Sequence, residues 1–202
     1  MSSESVIAAT SLIYELPSIL ERLEPTKLFA RPHPIEVELG SGDGSFLLDR
    51  ARAHPERNFI GIERLLGRMQ KMARKGARAG LSNLIGIRIE SSYFLEYLSP
   101  AHSVAALHIY FPDPWPKKKH REKRLINDRF PALAHKVLVA GGPLYLRTDD
   151  EDYFDQMVRV FAASPLFRLT ETPPQLAAVL TDFEKDFNAR GTQTLRAAYQ
   201  LA

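Results

Sequence analysis

Three glycines and an acidic residue stand together in the sequence ELGSGDG, directly after a short apolar segment. Glu38 precedes Gly40, Gly42 and Gly44, and we call residues 40–44 the glycine loop. Glycines at a strand-to-helix turn let the backbone approach a ligand closely. Their spacing differs from the G-x-G-x-x-G pattern of dinucleotide sites, and a carboxylate beside them suits a cationic ligand better than a phosphate. The loop therefore indicates a site for a cationic small molecule, with a tight turn that binds nothing as the alternative.

Two further acidic residues follow later apolar segments. Glu63 ends the segment NFIGIE, and an acid at the end of the second strand of a nucleotide-binding sheet can accept both hydroxyls of a ribose. Glu90 ends the next such segment and could accept a hydrogen bond from an adenine amine. Ribose, adenine and a cationic amino-acid end together describe S-adenosylmethionine.

The most specific stretch of the chain is HIYFPDPWPKKKHREKR. Pro112, Pro114 and Pro116 remove three backbone donors and predict a stiff, extended loop, which we call the proline loop (residues 111–116). The loop projects Asp113 and Trp115, so that a carboxylate could hydrogen-bond the edge of a base while the indole ring stacks on its face. A polyproline-like turn that only leaves the sheet is the alternative.

Basic residues gather in two places. The basic segment, residues 117–124, contains six Lys or Arg, one His and one Glu, and its position beside a candidate site favours phosphate contact. A second set recurs at helical spacing in the helix predicted near 65–79, which is named α3 below, and forms what we call the α3 basic face: Arg64, Arg68, Lys71, Lys75 and Arg78. The opposite face of that helix is expected to pack on the sheet through Leu65, Leu66, Met69, Met72 and Ala73. A solvated helix surface remains the simpler interpretation of the α3 basic face.

The elements that must position these residues follow from the apolar pattern. Strands are predicted at 35–39, 58–63, 84–90, 104–111 and 144–149, with helices near 46–53, 65–79, 93–98, 125–139 and 151–162. Two tail strands are predicted near 167–171 and 194–198, and residues 12–30 are expected to form a helix and an irregular arm. The alternation predicts an α/β fold: a doubly wound, mostly parallel sheet with helices on both faces. Such sheets bind ligands beyond the carboxyl ends of their strands, so Glu38, Glu63, Glu90, Asp113 and Asp149 should border one crevice.

Composition limits the classes of protein that remain. The chain has 202 residues, of which 45% are hydrophobic and 25% charged, as expected for one globular domain and not for a disordered chain or a collagen. Cysteine is absent, which excludes a disulfide framework, Cys-ligated zinc and a thiol nucleophile. We expect neither a membrane span nor a metal site, and we expect a cytoplasmic protein. The net charge of +3 is too small to indicate a partner.

Five motifs together resemble one family. VELGSGDG, FIGIE, YFPDPWPKKKH, RTD and TDFE occur in the order and approximate spacing of the bacterial tRNA (guanine-N7)-methyltransferases, from about residue 35 to residue 198. The resemblance implies a Rossmann-like fold with a final antiparallel strand, as a methyltransferase domain over residues 35–202 after an N-terminal helix and arm over 1–34. It implies methyl transfer from S-adenosylmethionine to N7 of guanine 46 in the variable loop of tRNA, without an evident obligate protein partner.

The same resemblance implies a role for each matching residue. The cofactor positions are Glu38, Gly40, Gly42, Gly44, Glu63, Glu90 and Asp113, where Glu90 replaces the usual Asp. Asp113 is also the candidate catalytic residue, placed where cofactor and base meet. The substrate positions are Lys117, Asp149, Thr181, Asp182, Phe183 and Glu184. The RNA-contacting positions are Lys118, Lys119, His120, Arg121, Lys123 and Arg124.

Two other functions remain open at this point. An S-adenosylmethionine-dependent enzyme acting on a small molecule or protein would use the glycine loop and Glu63 but leave the basic segment without a role. An RNA-binding module that has lost catalysis would keep the basic residues but would not need acidic residues around the crevice. His108 and His120 are predicted to be structural and phosphate-contacting, respectively, rather than catalytic bases.

Overall fold

A seven-stranded sheet forms the centre of the molecule in a computed structural model, which describes residues 12–202. The strands are β1 Ile35–Leu39, β2 Asn58–Ile62, β3 Leu84–Ile87, β4 Ala106–Tyr110, β5 Pro143–Thr148, β6 Phe167–Thr170 and β7 Leu195–Leu201. Their order is β3-β2-β1-β4-β5-β7-β6. Strands β1 to β5 pair in parallel, whereas β7 runs antiparallel to both β5 and β6. The predicted mostly parallel sheet with a final antiparallel strand is confirmed.

The helices connect the strands largely as the sequence predicts. They are α1 Pro25–Leu28, α2 Ser45–Ala53, α3 Leu66–Arg78, α4 Ser91–Tyr93, α5 Phe130–Val137, α6 Glu151–Ala162, α7 Pro174–Ala177 and α8 Asp182–Ala189. A π-helical turn, Phe94–Leu98, continues α4, and a 3₁₀ segment, Lys118–Lys123, follows the proline loop. The prediction missed α7 and α8 and began α5 five residues too early. Among the described residues, none of these helices has the length and apolar sequence to span a bilayer.

Apolar packing on both faces of the sheet explains the uninterrupted apolar strands. Every residue of β1, β2, β3 and β4 is buried, as expected for a parallel sheet with helices on both sides. One apolar cluster joins the sheet to α5 and α6 through residues such as Phe130 and Phe161. The other joins it to α2 and α3 through Phe46, Met69 and Met72.

The amino-terminal arm differs from its prediction. Residues 12–30 are expected from the sequence to form a helix followed by an irregular arm, but the structure has an irregular segment that ends in the single turn α1. Gly86 N–H donates to the carbonyl of Leu12 (2.7 Å) and Tyr14 N–H donates to the carbonyl of Gly86 (2.8 Å), so this segment pairs beside β3. Leu23 and Leu28 then enter the core. Proline cannot donate inside a helix, and pairing with β3 satisfies the backbone instead; the part of the predicted arm over 1–11 lies outside the described residues.

A buried polar cluster links β1 to β4. Glu36 accepts hydrogen bonds from His108 Nε2 (3.0 Å) and Arg57 Nη1 (3.0 Å). The hydroxyl of Tyr110 lies 2.9 Å from His108 Nδ1. Despite burial, the hydrogen bond and charges of its partners lower the pKa of Glu36 to about 2, whereas burial lowers the pKa of His108. His108 is therefore a buried residue that links two strands, as its predicted structural role requires.

Candidate active site

The glycine loop turns from β1 into α2 at the carboxyl edge of the sheet. All three glycines have left-handed backbone conformations, with φ of 81°, 57° and 78° for Gly40, Gly42 and Gly44. A Cβ atom added at Gly40 or Gly42 would meet no atom within 4 Å, whereas one at Gly44 would lie 2.2 Å from Met72 Cγ. Gly44 thus lets α3 pack closely, while at Gly40 and Gly42 the space that a Cβ would take is unoccupied.

Glu38 lies beneath the glycine loop without a counterpart for its charge at hydrogen-bond distance. It is 3% exposed, and its Oε2 has no hydrogen-bond partner among the described residues. Burial raises the pKa of Glu38 well above its ordinary value, against the opposing effect of the Arg147 guanidinium. A cationic ligand would supply the missing partner, so this carboxylate fits the amino-acid end of S-adenosylmethionine.

Glu63 is buried too, but its carboxylate is held from both sides. Gly42 N–H donates to its Oε2 (3.0 Å) and Leu65 N–H donates to its Oε1 (2.7 Å). The side chain therefore ties the glycine loop to the entry of α3. Each carboxylate oxygen can accept a second hydrogen bond, which leaves acceptor capacity for the two hydroxyls of a ribose.

Glu90 and Asp149 take different positions at the same edge. Glu90 is exposed and caps α4, where its carboxylate accepts from Ser92 N–H (2.9 Å) and Tyr93 N–H (2.8 Å). Asp149 is exposed directly after β5. The structure thus gives Glu90 a capping role, and the adenine contact of Glu90 and the substrate contact of Asp149 remain predictions.

The proline loop departs from the extended shape that its prolines predict. Phe111 and Trp115 have φ of 51° and 43°, in the left-handed region that residues with a side chain rarely adopt. Each directly precedes a proline. The resulting bends leave Asp113 exposed, and the Trp115 ring lies against Lys123 Nζ (5.1 Å) and the ring of His120 (5.8 Å). Residues other than glycine keep this left-handed backbone conformation only where the surrounding structure holds it.

Most of the basic segment is accessible. Lys117, Lys118, Lys119 and Lys123 are exposed, and His120 is half-buried. Arg121 is half-buried and pairs with Asp152 (2.8 Å). These residues form one cationic surface next to Asp113.

Arg124 corrects the sequence-based assignment of the basic segment. Its side chain is 1% exposed and its guanidinium donates to protein acceptors, so in this structure it does not reach the surface where RNA phosphates would bind. We therefore leave Arg124 out of the proposed RNA surface.

The segment 181–184 closes the other side of the crevice. Thr181 caps α8 by accepting from Glu184 N–H (3.0 Å), and Asp182 N–H donates to Ser45 Oγ (3.1 Å) at the start of α2. Lys75 bridges Asp43 of the glycine loop (2.6 Å) and Asp182 (3.9 Å). The segment is thus fixed against the glycine loop.

Two residues of this segment have opposite environments. Phe183 is 48% exposed beside Arg68, whose guanidinium lies 5.8 Å from the ring. Glu184 is fully buried and accepts from Arg147 Nη1 (2.8 Å) and from Arg196. Phe183 can therefore contact a substrate directly, whereas Glu184 pairs with two arginines that sequence reasoning did not connect to it.

The α3 basic face is present, although its apolar side is smaller than predicted. Arg64, Arg68, Lys71 and Arg78 are exposed, and within residues 12–202 none of these four forms an ion pair with a carboxylate. Met69, Met72 and Ala73 are buried as expected. Leu65 and Leu66 are instead 50% and 42% exposed, because the first turn of α3 begins beyond the end of β2.

The candidate site does not coincide with the large cavity at the amino ends of the strands. A cavity of about 960 Å³ lies at the opposite edge of the sheet, bordered by Glu36, Arg50 and Tyr145. The acidic and glycine residues instead lie at the carboxyl ends of the parallel strands, where such sheets bind their ligands. Among the described residues, no group of three or more His, Asp or Glu side chains could hold a metal ion.

The chain is similar in sequence to proteins of a known family. The family model described as "Putative methyltransferase" matches residues 32–197. A tRNA (guanine-N(7)-)-methyltransferase of Rubrobacter xylanophilus is 32% identical over 188 residues, which cover 91% of this chain and 84% of the relative. The enzyme of the same name from Sodalis glossinidius is 37% identical over 168 residues, covering 81% and 70% of the two chains.

Solved structures share the fold at lower identity. The 16S rRNA methyltransferase KamB superposes with a TM-score of 0.64 at 17% identity, over 90% of this chain and 95% of that protein. TrmN from Thermus thermophilus superposes with a TM-score of 0.61, also at 17% identity, over 86% of this chain and 45% of that protein. These similarities show the Rossmann-like fold.

Proposed function

The chain belongs to the tRNA (guanine-N(7)-)-methyltransferase family, and we propose that it methylates N7 of guanine 46 in the variable loop of tRNA. The observation that carries this proposal is the unpartnered, buried carboxylate of Glu38 beneath the glycine loop, at the edge of the sheet that also presents Asp113 and the basic segment. A cation-binding pocket beside a cationic surface suits an enzyme that joins a sulfonium cofactor to a nucleic acid.

Different residues of the site are proposed to bind different parts of the cofactor. S-adenosylmethionine, when bound, supplies an activated methyl group to N7 of guanine, whose in-plane lone pair requires no deprotonation. Glu38 would hold the cationic end and Glu63 the ribose hydroxyls, while Gly40 and Gly42 leave room for close approach. The site therefore needs no general base, and its principal tasks are alignment and exclusion of water.

We propose that Asp113 acts on the base. The methylated guanine carries a positive charge, which a nearby carboxylate stabilises as it develops. Asp113 is exposed at the centre of the proline loop, which connects β4 to the basic segment. We assign it this role, either directly or by accepting from the N1 and amino donors of the guanine.

The cationic surfaces would orient the tRNA without reading its sequence. The first comprises Lys117, Lys118, Lys119, His120, Arg121 and Lys123, and the second is the α3 basic face. Arg68 borders Phe183 at the rim of the crevice, so the second surface begins where the substrate base would enter. Asp149, Asp182 and Phe183 are proposed to contact the substrate at this rim.

A methyl-transfer assay with defined transcripts tests the proposal. The purified chain, labelled S-adenosylmethionine and a tRNA transcript should yield label that digests to 7-methylguanosine, and a transcript with guanine 46 replaced by adenine should accept none. Label at another guanine would refute the position. Label in a different nucleoside or in protein would refute the substrate, and tight tRNA binding without transfer would indicate a non-catalytic RNA-binding module.

The same assay addresses the need for a protein partner. We propose that the chain acts without an obligate protein partner, in the cytoplasm where tRNA is modified. Turnover by the purified chain alone at a rate comparable to that in a lysate would support the first point. A requirement for an added protein fraction would contradict it.

A further inference from the structure

Arg124 occupies an unusual position for a residue of a basic segment. It is buried with 1% of its side chain exposed, and its guanidinium lies over the Tyr153 ring at 4.7 Å. Its Nε donates to the carbonyl of Pro114 (2.7 Å). Its Nη1 donates to Gln156 Oε1 (2.8 Å), and its Nη2 donates to Asp152 Oδ2 (2.6 Å). Three acceptors on two elements are therefore joined by one planar group.

The acceptor on the proline loop is adjacent to the candidate catalytic residue. Pro114 directly follows Asp113, and it lies between the two left-handed residues Phe111 and Trp115. Backbone in that region is unfavourable for residues with a side chain and persists when the surrounding structure holds it. The other two acceptors, Asp152 and Gln156, lie on α6, which packs into the core through Tyr153 and Met157. The proline loop is thus attached to a rigid element through Arg124.

We propose that Arg124 is a positioning residue, which fixes Asp113 by binding the Pro114 carbonyl to Asp152 and Gln156 of α6. The effect on catalysis rests on the proposed function, but the effect on the loop does not. Lysine cannot replace the guanidinium here, because a single ammonium group lacks the planar array of donors that reaches three acceptors at once.

The chain contains a built-in probe of this loop. Trp115 is the only tryptophan in the sequence, and it lies one residue beyond Pro114. Its fluorescence therefore reports the proline loop selectively and requires neither RNA nor cofactor. Trp115 also lies within 5.1 Å of Lys123 Nζ, so a displaced loop changes the surroundings of the indole ring.

The experiment compares Arg124→Lys with Arg129→Lys, a matched change at an arginine that is 77% exposed. At a temperature where both variants are folded, Arg124→Lys should shift Trp115 emission or its quenching by acrylamide and should lower kcat by about tenfold or more. The KM for S-adenosylmethionine and the salt dependence of tRNA binding should stay at the wild-type values. Arg129→Lys should match the wild type in every measurement.

Opposite results would overturn the proposal. A phosphate contact at Arg124 would leave Trp115 emission unchanged and would weaken tRNA binding; for Arg124→Gln the slope of log Kd against log salt would fall by about 0.7–0.9. If Arg124→Lys fails to fold, Asp152→Asn removes the negative charge from one acceptor, at a side chain that is 49% exposed, and should give a smaller change of the same kind. Wild-type emission and kcat in Asp152→Asn would then refute the positioning role. Failure of the wild-type chain to methylate tRNA would refute the proposed function and leave the fluorescence result intact.

Discussion

Glu38 and Glu63 are two carboxylates at neighbouring strand ends, yet their hydrogen-bonding environments differ. Glu63 accepts from the backbone amides of Gly42 and Leu65, whereas Glu38 Oε2 has no hydrogen-bond partner among the described residues. A buried acceptor without a donor lowers the stability of the folded chain. The free protein therefore carries a cost at Glu38 that a cationic ligand removes on binding.

Replacing Glu38 by glutamine should raise the stability of the cofactor-free protein while lowering its affinity for the cofactor. The folded state raises the pKa of this carboxyl above its ordinary 4.5, so folding favours the protonated form and the destabilising effect grows as pH rises above that value. Without cofactor, Glu38→Gln should be more stable than the wild type by about 1 kcal/mol, or roughly 2–4 °C in Tm, and the gain should be larger at pH 8 than at pH 5. Thermal unfolding at both pH values measures this.

The same variant should lose cofactor affinity. Removing a charge-assisted contact weakens binding by about tenfold to a hundredfold, which calorimetry with S-adenosylmethionine would detect. Glu171→Gln, at an exposed carboxylate away from the site, is the control. Unchanged affinity in Glu38→Gln would show that the cationic end binds elsewhere.

Asp113→Asn tests the residue proposed to act on the base. Asp113 is exposed, so the change should alter stability by less than about 0.5 kcal/mol. If the carboxylate stabilises the developing positive charge, kcat with saturating tRNA should fall by about a hundredfold to a thousandfold, with little change in the Kd for either substrate. Single-turnover kinetics measure the chemical step directly. Asp128→Asn, also exposed, should retain wild-type kcat, and full turnover in Asp113→Asn would remove the assigned role.

At the scale of elements, the apolar pattern of the sequence predicted the strands and the α3 basic face. It did not predict the burial of Arg124 or the helix α8. Buried parallel strands require continuous apolar segments, so β1 to β5 and the carboxylates at their ends could be located from sequence. Arg124 could not be distinguished from its neighbours, because its burial depends on Asp152 and Gln156 in a later helix. The short helix α8 also escaped prediction, since its position depends on Glu184 pairing with Arg147 of β5.

The α3 basic face makes a prediction about salt. Each cation that binds a phosphate contributes about 0.7–0.9 to the slope of log affinity against log salt. The triple variant Arg68→Gln, Lys71→Gln, Arg78→Gln should therefore weaken tRNA binding and lower that slope by up to about 2–3. Filter binding of one tRNA across a salt series gives the slope.

A control with equal charge isolates the effect of position. Arg31, Arg52 and Arg168 are exposed cations on other parts of the surface, and their replacement by glutamine removes the same total charge. The control should keep the wild-type slope. Equal slopes for the two triple variants would show that the α3 basic face is only solvated.

At the scale of the whole molecule, one ion-pair network joins the parallel sheet to the antiparallel end of the chain. Arg147 of β5 donates to Glu184 of α8 and to the carbonyls of Leu176 and Val179, at 2.8, 2.7 and 2.7 Å. Arg196 of β7 completes the pairing of Glu184. The network fixes α8, and with it Phe183 and Asp182, against the carboxyl edge of the sheet.

Glu184→Gln should therefore lower the free energy of unfolding even when no substrate is present. Removing one charge from a buried pair leaves the other uncompensated and costs about 3–5 kcal/mol. We expect the free energy of unfolding in urea to fall by about that amount without any RNA present, whereas Asp186→Asn, at an exposed carboxylate of the same helix, should change it by less than about 0.5 kcal/mol. If Glu184 instead served only as a substrate contact, the variant would keep wild-type stability and lose affinity for tRNA. Because the network spans β5, α8 and β7, its loss should also expose Phe183 and the neighbouring backbone to faster hydrogen exchange than in the Asp186→Asn control.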